Sequence, residues 1–141
     1  MMQVIGDVAL QRKFDSMSVK VQKKISRQVI MKAGRRTAKA AKPKVTIRSG
    51  TLKKSIGTRG RTYKDDVMAV VGPRQGFRTT VDGEPHDPAK IGHLVERGHG
   101  GPGPARAYPF LRPALDETNS SNKSLIAAEL GKKIEAEARK R

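Results

Sequence analysis

Three histidines, His86, His93 and His99, fall close together in the second half of the chain. Imidazoles so grouped suggest a transition-metal site. Their intervals of seven and six residues give no i, i+4 pair on a helix and match no common zinc spacing, so they read as loop or surface residues. With no cysteine, disulfides, thiolate zinc, iron–sulfur clusters and thiol catalysis are excluded. Glu96 is the sole acid between Asp87 and Asp116. A general acid or base needs a partner within hydrogen-bond reach, and no second carboxylate stands opposite it. An ion pair with Arg97, Arg106 or Arg112 is the simpler expectation. The glycine-rich run Gly98–Gly103 lacks the Gly-Lys-Ser/Thr ending of a phosphate loop and follows no clear strand; a tight turn leading to Tyr108 explains it better. No enzyme signature emerges, and no metal or cofactor is implied.

What does stand out is charge. The 141 residues hold 30 Lys and Arg against 13 acids, for a net charge of +17 and a pI near 10.7. Residues 1–64 hold 18 of those cations and only Asp7 and Asp15 as acids. A field so one-sided repels itself unless something negative lies near: nucleic acid, an acidic protein surface or an anionic membrane. The candidate contact residues are Lys20, Lys23, Lys24, Arg27, Arg35, Arg36 and Lys39. A membrane fits least, because the apolar face of this segment lacks bulky side chains and the longest apolar run, Val67–Val71, is far short of a span. No hydrophobic signal core precedes Lys13, and the chain reads as soluble and unexported. Base recognition on single strands needs aromatic platforms, and the basic half offers only Phe14 and Tyr63. Phosphate contact without sequence reading is the most that nucleic-acid binding could mean here.

The elements that must position these residues are legible in outline. Phe14, Met17, Val21, Ile25, Val29 and Ala33 recur at helical spacing, so Gly6–Lys42 reads as mostly helical. Asp15 or Ser16 is placed to cap a second helix if the segment breaks there, and Pro43 ends it. Lys44–Gly50 is a connector with a turn at Ser49-Gly50, and Leu52–Gly57 is ambiguous. Val67–Val71 is the clearest strand, pairing with Ser55–Arg61 around Tyr63-Lys64-Asp65-Asp66. Gly72–Lys90 reads as a long loop. Ile91–Arg97 is a short buried helical turn or strand, and Gly98–Pro104 is irregular. Pro109 marks a helix start, with Phe110, Leu111 and Leu115 as anchors. Asn119–Lys123 reads as a polar hinge before an amphipathic helix, Ser124–Arg141. That helix has Leu125, Ala128, Leu130 and Ile134 on one side and the pairs Glu129–Lys133 and Glu135–Arg139 along it. Leu, Ile, Val and Phe make up about a fifth of the chain, near the level at which charged chains fail to fold. The thin core should gain stability from partners.

Two stretches carry a resemblance. Arg48-Ser49-Gly50-Thr51-Leu52-Lys53-Lys54-Ser55-Ile56 is similar to a Thr-Gly-x-Leu-Arg-x-Ser-Ile pattern. Leu94-Val95-Glu96-Arg97-Gly98, followed after a gap by Ala107-Tyr108-Pro109-Phe110-Leu111-Arg112-Pro113-Ala114-Leu115, resembles a Val-Glu-x-Gly … Pro-Phe-Leu-Arg-Pro-Ala pattern. With the basic helix ending at Ala40-Ala41-Lys42-Pro43, they resemble the minor tail component family of long-tailed bacteriophages, the neck or tail-completion proteins. The resemblance implies an α+β fold: a long N-terminal helix packed on a small antiparallel sheet, with a C-terminal helix. Residues 1–118 would form the domain and 119–141 a helical arm.

The same resemblance implies a virion protein that joins tail tube to capsid connector and that passes through the host cytoplasm during assembly. It would form a ring of copies, six being the common number. Its partners would be head-closure or connector proteins, the tail terminator, the tail tube and, through the basic face, DNA in the lumen. No enzymatic activity is implied. The motif residues Gly50, Leu52, Ser55, Glu96, Gly98, Pro109, Phe110, Leu111, Arg112 and Pro113 would serve subunit or partner contacts, with Glu96 and Arg112 as a buried or intersubunit pair. The alternative is a basic nucleic-acid-binding protein such as a ribosome-associated subunit.

Overall fold

The structure, a computed structural model, describes residues 8–46, 50–64, 66–81 and 83–140. The elements run α1 (Val8–Asp15), α2 (Val19–Ala41), α3 (Thr51–Ser55), β1 (Ile56–Tyr63), β2 (Asp66–Pro73), β3 (Thr79–Val81), β4 (Glu84–His86), α4 (Pro88–Arg97) and α5 (Leu111–Ala138). β1 pairs with β2 and β3 with β4, as two separate two-stranded sheets. The fold is α+β, with a long N-terminal helix, small antiparallel sheets and a C-terminal helix, as the resemblance implied. The chain divides into two compact units. One holds Met1–Gly34, Arg59–Val70 and Ser120–Arg141; the other holds Arg35–Thr58 and Val71–Asn119.

The first unit is built on three helical segments. The mostly helical segment breaks at Ser16–Ser18, beside the break allowed for at Asp15 or Ser16; its proposed beginning at Gly6 and Asp7 lies outside the described residues. Neither Asp15 nor Ser16 caps the second helix. Asp15 accepts from the Gln11 amide at 2.9 Å and the Ser16 hydroxyl donates back to the Lys13 carbonyl at 2.7 Å. Ser18 is the cap, its Oγ accepting from the Val21 N–H at 3.4 Å. The core is Phe14, Met17, Ile25, Val29, Leu130 and Ile134, with Leu10, Val21, Ile126 and Ala138 packed against it. Val21, Ile25 and Val29 are four apart, as are Ile126, Leu130, Ile134 and Ala138, so each set lines one helical face. Ile126 takes the place expected for Leu125 and Ala128, and Ala128 is exposed.

Three charged residues of α5 reach across to other helices. Glu129 meets Lys32 at 2.8 Å, Glu135 meets Lys13 at 2.8 Å, and Lys133 donates to Gln28 at 2.9 Å. The hydrogen bond from Lys32 foremost, against a burial effect that opposes it, lowers the Glu129 pKa. β1 lies along α2: a Cβ on Gly60 would stand 2.9 Å from Met31 Sδ and 3.3 Å from Arg27 Nε. Lys23 Nζ donates to the Lys64 carbonyl at 2.8 Å. Lys64 adopts φ 49° in the turn to β2, the hairpin expected from the sequence.

The second unit packs Ala38, Ala41, Val45, Ile56, Phe110 and Ala114 together, with Leu52, Val71, Val95 and Leu111 against them. Alanines at the end of α2 leave the volume that the Phe110 ring fills. Thr37 and Thr118 are buried and share a 2.8 Å hydroxyl contact, and the Thr118 Oγ1 also lies 2.8 Å from the Ala114 carbonyl. This pair therefore carries no unmet polar atom into the core.

Four expectations are corrected along this part of the chain. Gly72–Lys90 is not a loop throughout: β3 and β4 pair Thr79 with His86, Thr80 with Pro85 and Val81 with Glu84. The Asp82-Gly83 step was a hairpin signal, with Gly83 at φ 83° and Asp82 outside the described residues. Leu115 is no core anchor; it is 54% exposed. The helix begins at Leu111, two residues after Pro109. The expected hinge at Asn119–Lys123 is also absent, since α5 runs unbroken from Leu111 to Ala138. Asn122 is buried, so that polar stretch carries an inward-facing side of its own.

Candidate functional site

Glu96 organises the most specific arrangement in the second unit. It sits in the last turn of α4, whose start is fixed by the Asp87 carboxylate accepting from the Ala89 N–H at 3.0 Å and by Pro88 in the first turn. Glu96 Oε2 accepts from the backbone N–H groups of Phe110 at 2.7 Å and Leu111 at 2.9 Å, and Oε1 from Arg112 at 3.0 Å. The first four N–H groups of a helix have no partner within it. At the start of α5, Glu96 satisfies three of them, and the fourth position is Pro113, which has no N–H to satisfy. A carboxylate here also complements the positive end of the helix dipole. Burial pushes the Glu96 pKa up, but the hydrogen bonds from Leu111, Phe110 and Arg112, with the nearby Arg97 charge, outweigh it and leave the pKa lowered. Of the two forms expected for a Glu96–Arg112 pair, the one within the chain is corrected: there Glu96 engages the Arg112 main chain, not its guanidinium.

Between the two motif halves the chain makes an exposed excursion. Gly98 turns it at φ 72°, and a Cβ there would lie 2.7 Å from both the Ala105 carbonyl and the Ala107 nitrogen. Only glycine leaves room for the returning strand. His99 and Ala105 exchange backbone hydrogen bonds at 3.0 Å, and the Tyr108 N–H donates to the Val95 carbonyl at 2.8 Å. All residues from His99 to Pro109 are exposed. The Val-Glu-x-Gly and Pro-Phe-Leu-Arg-Pro stretches are thus two sides of one clasp. Phe110 is fully buried behind it, while Pro109 and Arg112 stay exposed.

The other motif residues lie nearby in sequence order. Gly50 has φ 73° and its carbonyl accepts from the Lys54 N–H at 3.0 Å, opening α3; Ser49, the expected turn partner, lies outside the described residues. Leu52 packs on the second core. Ser55 is buried, with its Oγ donating to the Leu52 carbonyl at 2.7 Å. Sequence reading missed Arg74, whose N–H and Nε both donate to the Ser55 carbonyl, at 2.9 and 3.3 Å. The Arg74 guanidinium also stacks over Phe77, 5.1 Å from the ring centre. The one signal was Gly57, where any side chain would run into Arg74.

The histidines are dispersed: His86 ends β4, His93 is exposed on α4, and His99 sits at the loop base. Among the described residues, no group of three or more His, Asp or Glu could hold a metal. No described helix is long and apolar enough to cross a membrane.

The basic residues divide between the units. Lys20, Lys24 and Arg27 are exposed in the first, where Lys23 is engaged with the Lys64 carbonyl. Arg35, Arg36 and Lys39 are exposed in the second. Arg59 and Arg61, exposed on alternate positions of β1, join the first group and were not singled out from the sequence.

Residues 9–98 match the model of the HK97-gp10-like family, described as bacteriophage HK97-gp10, a proposed tail component. No curated protein and no solved structure matches. The matched span takes in the basic helix, Gly50–Ser55 and Glu96–Gly98. The Pro109–Pro113 half of the clasp lies beyond it.

Proposed function

The chain belongs to the HK97-gp10-like family of bacteriophage tail components, and from that premise we propose that it is a structural subunit of the head–tail junction. Copies of it close into a ring, six being the expected number, between the tail tube and the capsid connector. Its neighbours are head-closure or connector proteins, the tail terminator and the tail tube. Its basic faces meet DNA or acidic neck proteins.

The observation that carries this reading is the family match over most of the chain. Two physical features support it. The apolar interior is divided into two small cores, and large apolar side chains stay exposed: Tyr63, Met68, Val70, Tyr108 and Leu115. Such a subunit gains stability from neighbours, and head-to-tail contacts close into rings when the rotation permits. The clasp residues hold one subunit's fold, while Pro109, Arg112 and the His99–Tyr108 excursion are free to meet the next. Particles assembled in the host without this chain test the reading. Full heads and separate tails are expected by electron microscopy; joined, infectious particles overturn it. Native mass spectrometry of the purified chain with its tail-tube partner then gives the number of copies.

A further inference from the structure

We infer that one copy of the chain lays the start of α5, with Arg112, Leu115 and Asp116, on the outer face of the β1–β2 hairpin of the next copy. That face follows from which sides of the strands are covered. On β1, Gly60 faces Arg27 and Met31 of α2, so Arg59, Arg61 and Tyr63 point the other way. On β2, Val71 packs on the second core, and Val67 and Ala69, on the same side of the strand, are half-buried. Asp66, Met68 and Val70 alternate with them and are exposed. Paired strands share their covered side, so the six outward residues form one face.

The makeup of this face selects a protein. Tyr63, Met68 and Val70 give it an apolar centre that phosphate does not use, and aromatic, methionine and arginine side chains are those enriched at protein interfaces. Two arginines beside that centre call for an acid. The chain carries the complement itself. Of its thirteen acids, Asp7, Asp65 and Asp82 lie outside the described residues. Glu117, Glu129, Glu135 and Glu137 are held by Lys44, Lys32, Lys13 and Lys140. Asp87 and Glu96 cap helices, and Asp15 accepts from Gln11. Asp66, Glu84 and Asp116 remain, without a partner among the described residues. Asp66 belongs to the hairpin face. Glu84 has no large exposed apolar neighbour among the described residues, whereas Asp116 directly follows the exposed Leu115. Val19, exposed at the start of α2, is followed by Lys20 and offers the arginines no counter-charge.

The two surfaces also match in order. Arg112, Leu115, Asp116 and Asn119 are exposed at i, i+3, i+4, i+7 spacing, on one helical face. Arg112 and Asp116 lie about 6 Å apart along the axis, with Leu115 between them. On the hairpin, Asp66 stands at the turn end, and Arg61 and Arg59 lie farther along in steps of about 7 Å. Setting Arg112 toward Asp66 therefore brings Leu115 onto Met68 and Val70 and Asp116 to the arginines. Opposite charges meet at both ends of an apolar contact. The contact joins two different surfaces, so copies pass it on head to tail, as a ring requires. The inference rests on the ring reading and names the faces that meet.

The test uses cysteine trapping, because the chain has no cysteine of its own. Full-length chain with Val70→Cys is mixed with full-length chain carrying Leu115→Cys and a size tag. The mixture is oxidised with copper phenanthroline and resolved on a non-reducing gel. A disulfide forms only where the two positions approach closely, and it traps even a transient contact. The mixed product should exceed either same-variant product several-fold, and should exceed to the same degree the product of Val19→Cys with Leu115→Cys. Adding Arg61→Glu to the first chain, or Asp116→Arg to the second, should lower the mixed yield several-fold, as for solvent-facing ion pairs. The two reversals together should restore it, and circular dichroism confirms that each variant is folded. A dominant Val70→Cys homodimer overturns the inference in favour of a symmetric pairing. A mixed yield no greater than the Val19→Cys control, or unmoved by charge reversal, also overturns it. So does trapping of Val70→Cys on a tail-tube or connector protein, and not on a second copy, in assembled particles. Failure here leaves the head–tail reading intact, because particles assembled without the chain are judged separately.

Discussion

Glu96 and Phe110 are joined by a 2.7 Å hydrogen bond from the Phe110 amide to the Glu96 carboxylate, and the same phenylalanine places its ring, fully buried, in the second core. One residue thereby links the capping of α5 to the packing beneath it. A loss on either side of the bond is felt on the other.

Glu96→Ala leaves three helix-end N–H groups without their carboxylate. Stability should fall by about 1–2 kcal/mol, the usual cost of a lost cap at a partly solvated site, read as a lower midpoint in urea. Because the Arg112 contact is through its main chain, the double reversal E96R/R112E should show no rescue over E96R alone. Recovery of the midpoint would restore the ion-pair reading.

The pH dependence follows from the lowered Glu96 pKa. Its contribution is full above the ordinary glutamate value of about 4.3 and is lost as the pH falls through the lower folded-state value. Glu96→Gln removes this titration. The stability gap between wild type and E96Q should therefore be constant near neutrality and shrink in acid below that ordinary value, by urea denaturation at a series of pH values.

Phe110→Ala should cost about 3–5 kcal/mol, as expected for emptying a fully buried aromatic site. Leu115→Ala, at a site 54% exposed, should stay within about 0.5 kcal/mol. Paired thermal melts separate the two.

Gly98→Ala meets both a left-handed backbone and the returning chain at 2.7 Å. A loss of about 2–3 kcal/mol is expected. Gly101→Ala is also strained, at φ 90°, but has open space around it and should cost about 1 kcal/mol. Equal losses would show that the close approach to Ala105 and Ala107 carries no energy.

Lys123→Pro tests the continuity of α5. In an unbroken helix it removes a backbone bond and clashes with the preceding turn, for about 3 kcal/mol or more. A hinge at that point would accept proline with little change in the melting midpoint.

How far the sequence reads through to this structure differs by element. Apolar periodicity exposed α2 because Val21, Ile25 and Val29 repeat without interruption, and β-branching between turn residues exposed β2. β3 and β4 escaped because three-residue strands carry too little alternation to stand out from a glycine- and proline-rich stretch, even with Asp82-Gly83 at the turn. The α5 helix looked broken at Asn119–Lys123 because polar residues lower local propensity, whereas burial of Thr118 and Asn122 is a tertiary effect that local pattern does not carry. At the site, the motif residues were visible as a set, but their chemistry was not. Glu96 was read against arginine side chains because charge is written in the sequence, while helix-end amides are not. The Arg74 grip on Ser55 depends on a turn of chain between them and left only Gly57 as a trace.

The His99–Pro109 excursion is anchored at its root by the His99–Ala105 exchange, the Tyr108–Val95 bond and the Glu96 clasp, while everything beyond faces solvent. Its tip is consequently a place where length is cheap. A short epitope spliced between Gly101 and Pro102 would extend outward without disturbing either core, so its effect on assembly isolates what the excursion contributes between subunits.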